Sequence, residues 1–255
     1  MARLRAAGCV FAEDEAALLT EAAGTADELD RMVARRVAGE PLEHVLGWAD
    51  FCGLRVEVDP GVFVPRRRTE VLAVEATALA APGAVVLDVC CGTGAIGLVV
   101  ARMLPGIELH ATDVDPAAVA CARRNLRGAR GRVYEGDLFD PVPRALAGAV
   151  DVLIANGPYV PTDAVRLLPA EARLHEARVA LDGGGDGLDV LRRVIADAPR
   201  WLAPGGSALC ESTDEQAPSL VDAVRRAELV PRVVRSDELA ATVVIGTRSV
   251  DRESG

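Results

Sequence analysis

The sequence predicts an α/β fold: a mostly parallel, seven-stranded sheet with helices on both faces and an antiparallel last strand. Three observations carry that expectation. From residue 84 onward, short apolar runs alternate with amphipathic stretches of helical spacing, the pattern of strands feeding crossover helices. The first run, Ala84 to Val89, is apolar but for Asp88, as a strand buried on both faces is. The last two, at 230–234 and 242–246, have no helical stretch between them, so the chain reverses there and the final strand opposes its neighbours.

The first 40 residues read as helical. Thr25-Ala26-Asp27-Glu28 has capping-box form, Leu29, Met32, Val33 and Val37 follow at helical spacing, and Gly39 with Pro41 ends the run. From Phe51 to Val64 the pattern shortens to alternation, with Asp59-Pro60-Gly61 as the break of a β-hairpin. Pro65-Arg66-Arg67-Arg68 follows as a linker. Residues 1–68 are therefore expected to form a small N-terminal region and residues 69–255 the main domain. In the latter, strands are expected at 84–89, 108–112, 132–135, 151–155, 207–211, 230–234 and 242–246, and helices up to Arg102 and over 116–126, 187–201 and 218–226.

Composition narrows the function. Half of the 255 residues are hydrophobic and 26% charged, which excludes a disordered, collagen-like or disulfide-scaffold chain. All 28 basic residues are arginine against 38 acidic ones, and the net charge of −10 argues against duplex DNA or an anionic membrane as partner. No run approaches the ~18 apolar residues needed to span a bilayer. Glu13, Asp14, Glu15 and Glu21 stand where a signal peptide would be apolar, so the chain reads as soluble and cytoplasmic. The six cysteines form no C-x-x-C pair and the three histidines are isolated, so no metal site is expected.

In an open α/β sheet the ligand crevice lies beyond the carboxyl ends of the strands, which directs attention to four segments. After the first sheet strand comes Asp88-Val89-Cys90-Cys91-Gly92-Thr93-Gly94-Ala95-Ile96-Gly97, whose glycines let a ligand approach the main chain. Its Gly92 to Gly97 portion also fits a dinucleotide fingerprint. A carboxylate at Asp88 would repel a pyrophosphate, however, and suits a sulfonium nucleoside with a cationic amino-acid end. Asp113 follows the second strand, 25 residues on, where an acid accepting from ribose hydroxyls belongs. Gly136-Asp137-Leu138-Phe139 offers a carboxylate for an adenine amino group and an apolar side chain for the ring face. Asn156-Gly157-Pro158-Tyr159 follows the fourth strand; by itself it is an ordinary turn.

These four segments in this order resemble the class I S-adenosylmethionine-dependent methyltransferases, specifically the HemK-like protein-(glutamine N5) methyltransferases that modify peptide-chain release factors. The likeness runs from about Gly39 to Arg248. It includes Gly39-Glu40-Pro41-Leu42, the 51–64 stretch, Pro65-Arg66 with Thr69-Glu70, and His175-Glu176 through Leu181-Asp182-Gly183-Gly184 to Asp186-Gly187-Leu188. The resemblance implies a Rossmann-like seven-stranded sheet, S-adenosylmethionine as donor, and a glutamine in a protein, with a peptide-chain release factor as the family's target, as acceptor. It further implies donor contacts from Asp88, Cys90, Cys91, Gly92, Thr93, Gly94, Asp113, Asp137, Leu138 and Asn156. The acceptor would meet Phe63, Pro65, Arg66, Asn156 and Tyr159, with Asn156, the Gly157 carbonyl, Pro158 and Tyr159 as the catalytic loop.

Three departures from the family pattern stand out. Cys90 replaces a glycine, which a negative φ would tolerate; Gly157 replaces a proline; and Arg67-Arg68 replaces a proline followed by an acid. They leave open a nucleobase or other planar amine as acceptor, and a donor-binding protein without transfer. A nicotinamide oxidoreductase would rest on the glycine fingerprint alone.

Overall fold

A computed structural model describes residues 1–250; residues 251–255 of the expected main domain lie outside the described residues. The N-terminal unit consists of α1 (Ala2–Ala6), α2 (Ala12–Ala22), α3 (Ala26–Val37) and α4 (Leu42–Leu46). Thr25 caps α3 by accepting from the Glu28 amide at 3.2 Å, and the Glu28 carboxylate returns to the Gly24 amide at 2.9 Å. The unit has its own small core of Leu4, Ala12, Leu19, Met32, Val33 and Val45.

The hairpin is β1 (Trp48–Phe51) and β2 (Leu54–Glu57), paired antiparallel. Its turn is Cys52-Gly53, both with positive φ, and not the expected Asp59-Pro60-Gly61. Two central residues with positive φ are what a tight two-residue hairpin turn requires. Asp59 instead starts a separate turn, accepting from the Val62 amide at 3.1 Å. Phe51 and Val56 are fully buried in the main core.

The main sheet contains β3 (Val85–Val89), β4 (Glu108–Asp113), β5 (Arg132–Glu135), β6 (Val150–Ala155), β7 (Leu202–Ser212), β8 (Val230–Ser236) and β9 (Ala241–Thr247). Their order is β5-β4-β3-β6-β7-β9-β8. The first five in this order are parallel, and β9 lies antiparallel between β7 and β8, as the missing crossover helix predicts. Side-chain alternation explains the apolar runs: Leu87, Val89, Leu153 and Ala155 enter one core, and Val86, Val152 and Ile154 the other.

Helices α6 (Ala95–Met103), α7 (Pro116–Asn125), α9 (Asp189–Trp201) and α10 (Ala217–Arg226) fall close to their expected places. Two helices were not expected. They are α5 (Glu70–Leu79), which buries Leu72, Ala73 and Ala76 in the main core, and the short α8 (Ala170–His175). Strand β7 also begins five residues earlier than expected, through Pro204-Gly205-Gly206, with a register shift against β6 between Val150 and Val152. The strand order reverses at β3 and β6, so their carboxyl ends open the crevice where a ligand can enter.

Candidate active site

Two adjoining cavities occupy that crevice. The larger, about 330 Å³, is lined by the turn after β3 (Cys90, Cys91, Gly92, Thr93), by Asp113 after β4, and by Asp137 and Leu138 after β5. Asn156 and Pro158 after β6 close it, with Phe63 and Pro65 from the segment before α5. The smaller, about 230 Å³, is lined by Phe63, Arg66, Arg68, Asn156, Gly157 and Tyr159, among others. Asn156 and Phe63 belong to both walls.

The turn after β3 is held from below. The Cys91 amide donates to the Thr112 carbonyl at 3.0 Å, and the Gly92 amide to Asp113 Oδ2 at 2.8 Å. The other oxygen of Asp113 accepts from the Asp115 amide at 2.9 Å, so this carboxylate is fixed at the cavity wall. Gly92 has φ +54°, and a Cβ there would meet no protein atom within 4 Å. Cys90 has φ +56°, contrary to the negative φ that would tolerate a side chain in place of glycine. Burial pushes its thiol well above the ordinary range, which disfavours the thiolate. Gly94 does not line the cavity; it turns the chain into α6 and packs beside Leu126 and Ala122.

Asp88 is fully buried beneath the turn and does not line the cavity. Its Oδ2 accepts from the Gly97 amide at 3.2 Å, and Oδ1 has no partner. Burial, opposed by the Gly97 amide and helped by the Asp113 charge, raises its pKa to about 7. Burial raises Asp113 as well. Two poorly solvated carboxylates side by side disfavour an anion and favour a cation above them.

Asp137 reaches the cavity, but Arg193 of α9 donates to its Oδ2 at 2.6 Å and joins the lining; no motif or spacing singles out this arginine. Leu138 supplies the apolar face. Phe139 turns inward and stacks on Trp201 at 5.4 Å, so it is a core residue.

Asn156 Nδ2 donates to buried Thr69 Oγ1 at 3.4 Å, which leaves Oδ1 buried without a partner where the cavities meet. In the sequence Thr69 stands out only beside Glu70 in a motif; its place against Asn156 depends on α5, which hydrophobic periodicity does not reveal. Gly157 packs under Leu191, whose Cδ2 would lie 3.1 Å from a Cβ there. The Tyr159 hydroxyl donates to Glu211 Oε1 at 3.2 Å and accepts from Arg68, and burial raises its pKa to about 12. Arg66 donates to Glu176 Oε1 at 2.6 Å, an oxygen that also accepts from the Val64 amide. The arginine is thus tied to the wall.

The glycine string from Gly183 to Gly187 packs backbone against backbone on this loop. The Gly183 amide donates to the Val160 carbonyl at 2.8 Å, and a Cβ at Gly187 would fall on the Tyr159 carbonyl.

The chain matches the family model for the methyltransferase small domain over residues 53–188. It is 38% identical over 219 residues to the release factor glutamine methyltransferase of Geobacter sulfurreducens, covering 85% of this chain and 76% of that one. The Streptomyces coelicolor release factor glutamine methyltransferase is 40% identical over 191 residues, 72% of this chain and 67% of its own. The chain belongs to the release factor glutamine methyltransferase family. A further relative of this family member is the 4-amino-L-phenylalanine/4-methylamino-L-phenylalanine methyltransferase of Streptomyces pristinaespiralis, 38% identical over 197 residues, 74% of this chain and 66% of its own. A solved methyltransferase structure from Pyrococcus furiosus shares the fold, with TM-score 0.59 at 18% identity over 87% of this chain and 99% of that one.

The residues around the larger cavity fit an adenosyl donor with a cationic end. Asp113 is presented at the wall, Leu138 is apolar, Gly92 leaves the main chain open, and buried carboxylates lie beneath. Among the described residues no group of three metal-ligating side chains converges.

Proposed function

We propose that this chain transfers a methyl group from S-adenosylmethionine to the side-chain amide nitrogen of a glutamine in a protein, with a peptide-chain release factor as the acceptor. One observation carries the reading: the unpartnered Oδ1 of Asn156 at the junction of a donor-sized cavity and a second, smaller one.

The donor would supply an electrophilic methyl on a sulfonium whose sulfur leaves as a neutral thioether, while the acceptor nitrogen gives up one of its two hydrogens as a proton to water. What the chain must do is position and desolvate the acceptor. An amide nitrogen is a weak nucleophile because its lone pair is delocalised into the carbonyl. Asn156 Oδ1 accepts one amide hydrogen and the Gly157 carbonyl the other, which turns the nitrogen toward the larger cavity. Thr69 holds the Asn156 side chain by accepting from Nδ2. Tyr159 lines the acceptor cavity, and with its pKa at about 12 it stays protonated at neutral pH. Pro158 separates these two groups along the loop and faces the donor cavity. Asp113 and Asp137 are the acceptors for the donor's ribose and adenine, and the buried Asp88 answers its cationic end through the turn.

We assign acceptor recognition to residues 1–68, because Phe63, Pro65, Arg66 and Arg68 come from this region and wall the cavities. Among the described residues no helix is long and apolar enough to cross a membrane.

Asn156→Ala tests the reading. Losing one preorganised acceptor costs roughly 3 kcal/mol of transition-state stabilisation, about 100-fold or more in kcat. Calorimetric donor affinity is expected to survive. Near-normal turnover in this variant would overturn the assignment. Methylation of free 4-amino-L-phenylalanine in preference to a release factor would move the acceptor to a planar aromatic amine.

A further inference from the structure

A third cavity of about 450 Å³ lies on the far side of the Arg68 and Tyr159 side chains, which line it together with Ser212, Asp214, Arg235 and Asp237. The same two side chains line the acceptor cavity, so the clefts meet across one shared wall. That wall is braced. Arg68 Nε donates to Glu211 Oε1 at 3.1 Å, its Nη2 donates to the Tyr159 hydroxyl, and Tyr159 donates to the same Glu211 oxygen.

The lining of this cleft is only partly satisfied. Both of its cations are neutralised: Arg68 by Glu211, and Arg235 by Asp214, which also accepts from Thr242 at 2.7 Å. Asp237 has no ion-pair partner among the described residues, so the cleft keeps one open carboxylate. Ser212 is 6% exposed, and its Oγ is buried without a hydrogen-bond partner. A buried hydroxyl left without a partner at a cavity wall is costly unless a ligand completes it.

We infer that this cleft is a subsite for extended polypeptide adjoining the acceptor residue, with Ser212 bonding its main chain and Asp237 meeting a basic side chain or main-chain N–H. The inference rests on the protein-acceptor reading above. An isolated amino acid in the smaller cavity would not reach past Arg68 and Tyr159. A polypeptide entering that cavity has to continue somewhere, and its main-chain groups need partners along the way.

The test uses the full chain with a bacterial release factor as acceptor, reading radiolabelled methyl transfer, and donor affinity by calorimetry. Ser212→Ala removes a hydroxyl that bonds nothing in the folded chain, so its unfolding temperature should be at or above that of the wild type. It should lower kcat/KM for the release factor about fivefold, the loss of one hydrogen bond. Asp237→Arg should lower it at least tenfold through KM. Donor affinity should be unchanged in both. Amides at 212–214 and 236–241 should gain hydrogen-exchange protection when the release factor binds. Wild-type transfer with unchanged kinetics in both variants overturns the subsite and leaves the reading intact. A wild-type chain that methylates 4-amino-L-phenylalanine but no release factor overturns both, as does one that methylates neither.

Discussion

At Asp88 the cost of burial and the service to a ligand are the same physical fact. Folding carries the carboxyl pKa from its ordinary value of 3.8 to about 7, so between these values the folded chain holds a proton that the unfolded chain has released. Stability is therefore lost as pH rises from about 4 to about 7, and the loss is complete above that. Asp88→Asn should accordingly stabilise the donor-free protein at pH 8 by on the order of 2–4 kcal/mol. That gain should fade toward pH 4 in thermal melts. The same variant should bind the donor more weakly, since the buried charge that answers a cation is gone. Cys90 is a second costly residue, held at φ +56° with its sulfur 3.7 Å from where a Cβ of residue 157 would stand. Two departures from the family pattern thus face each other, a relation that residue spacing does not reveal.

Among the elements, the 181–188 string and the 61–66 segment are held to the Asn156–Tyr159 loop by backbone contact and by Glu176. The Glu176 side chain is fully buried, and one of its oxygens accepts from both the Val64 amide and Arg66. Glu176→Ala should cost about 2–3 kcal/mol in denaturant unfolding and raise the acceptor KM, because Arg66 and Phe63 lose their anchor. Gly187→Ala combines a strained φ of +84° with a Cβ placed on the Tyr159 carbonyl. A loss of about 2 kcal/mol or more is expected, with methyl transfer falling before donor binding does. The sequence marked this string as a motif, whereas the reason for it is contact with a loop some 25 residues away. Helix α5 shows the opposite limit. Its EVLAVEATAL sequence has weak amphipathic contrast, and only packing against α6 and the sheet defines its buried face.

Across the whole molecule, Arg36 joins the N-terminal unit to the rim of the smaller cavity. Its side chain is 10% exposed; it pairs with Glu15 at 2.7 Å within the unit and with Glu171 of α8, which lines that cavity. Burial alone would lower its pKa, but bonds to the Glu15 and Glu171 carboxylates raise it, so the charge is secure. Arg36→Met leaves the mostly buried Glu15 unpaired and should cost about 3 kcal/mol in thermal or denaturant unfolding. It should also raise the acceptor KM with little change in donor affinity.

The sequence by itself determined the seven sheet strands, the antiparallel last strand, and most of the strand-end segments that line the larger cavity, because those features are local. An apolar run becomes a buried strand, and the residues at its carboxyl end face the crevice wherever the sheet lies. Only the tertiary structure decided the true hairpin turn at Cys52-Gly53, the Thr69–Asn156 bond, the Arg193–Asp137 pair, and the burial of Asp88 below the turn instead of at the cavity wall. Each depends on segments distant in sequence that meet only when the cores close, and hydrophobic periodicity carries no record of which polar side chains then come within bonding distance.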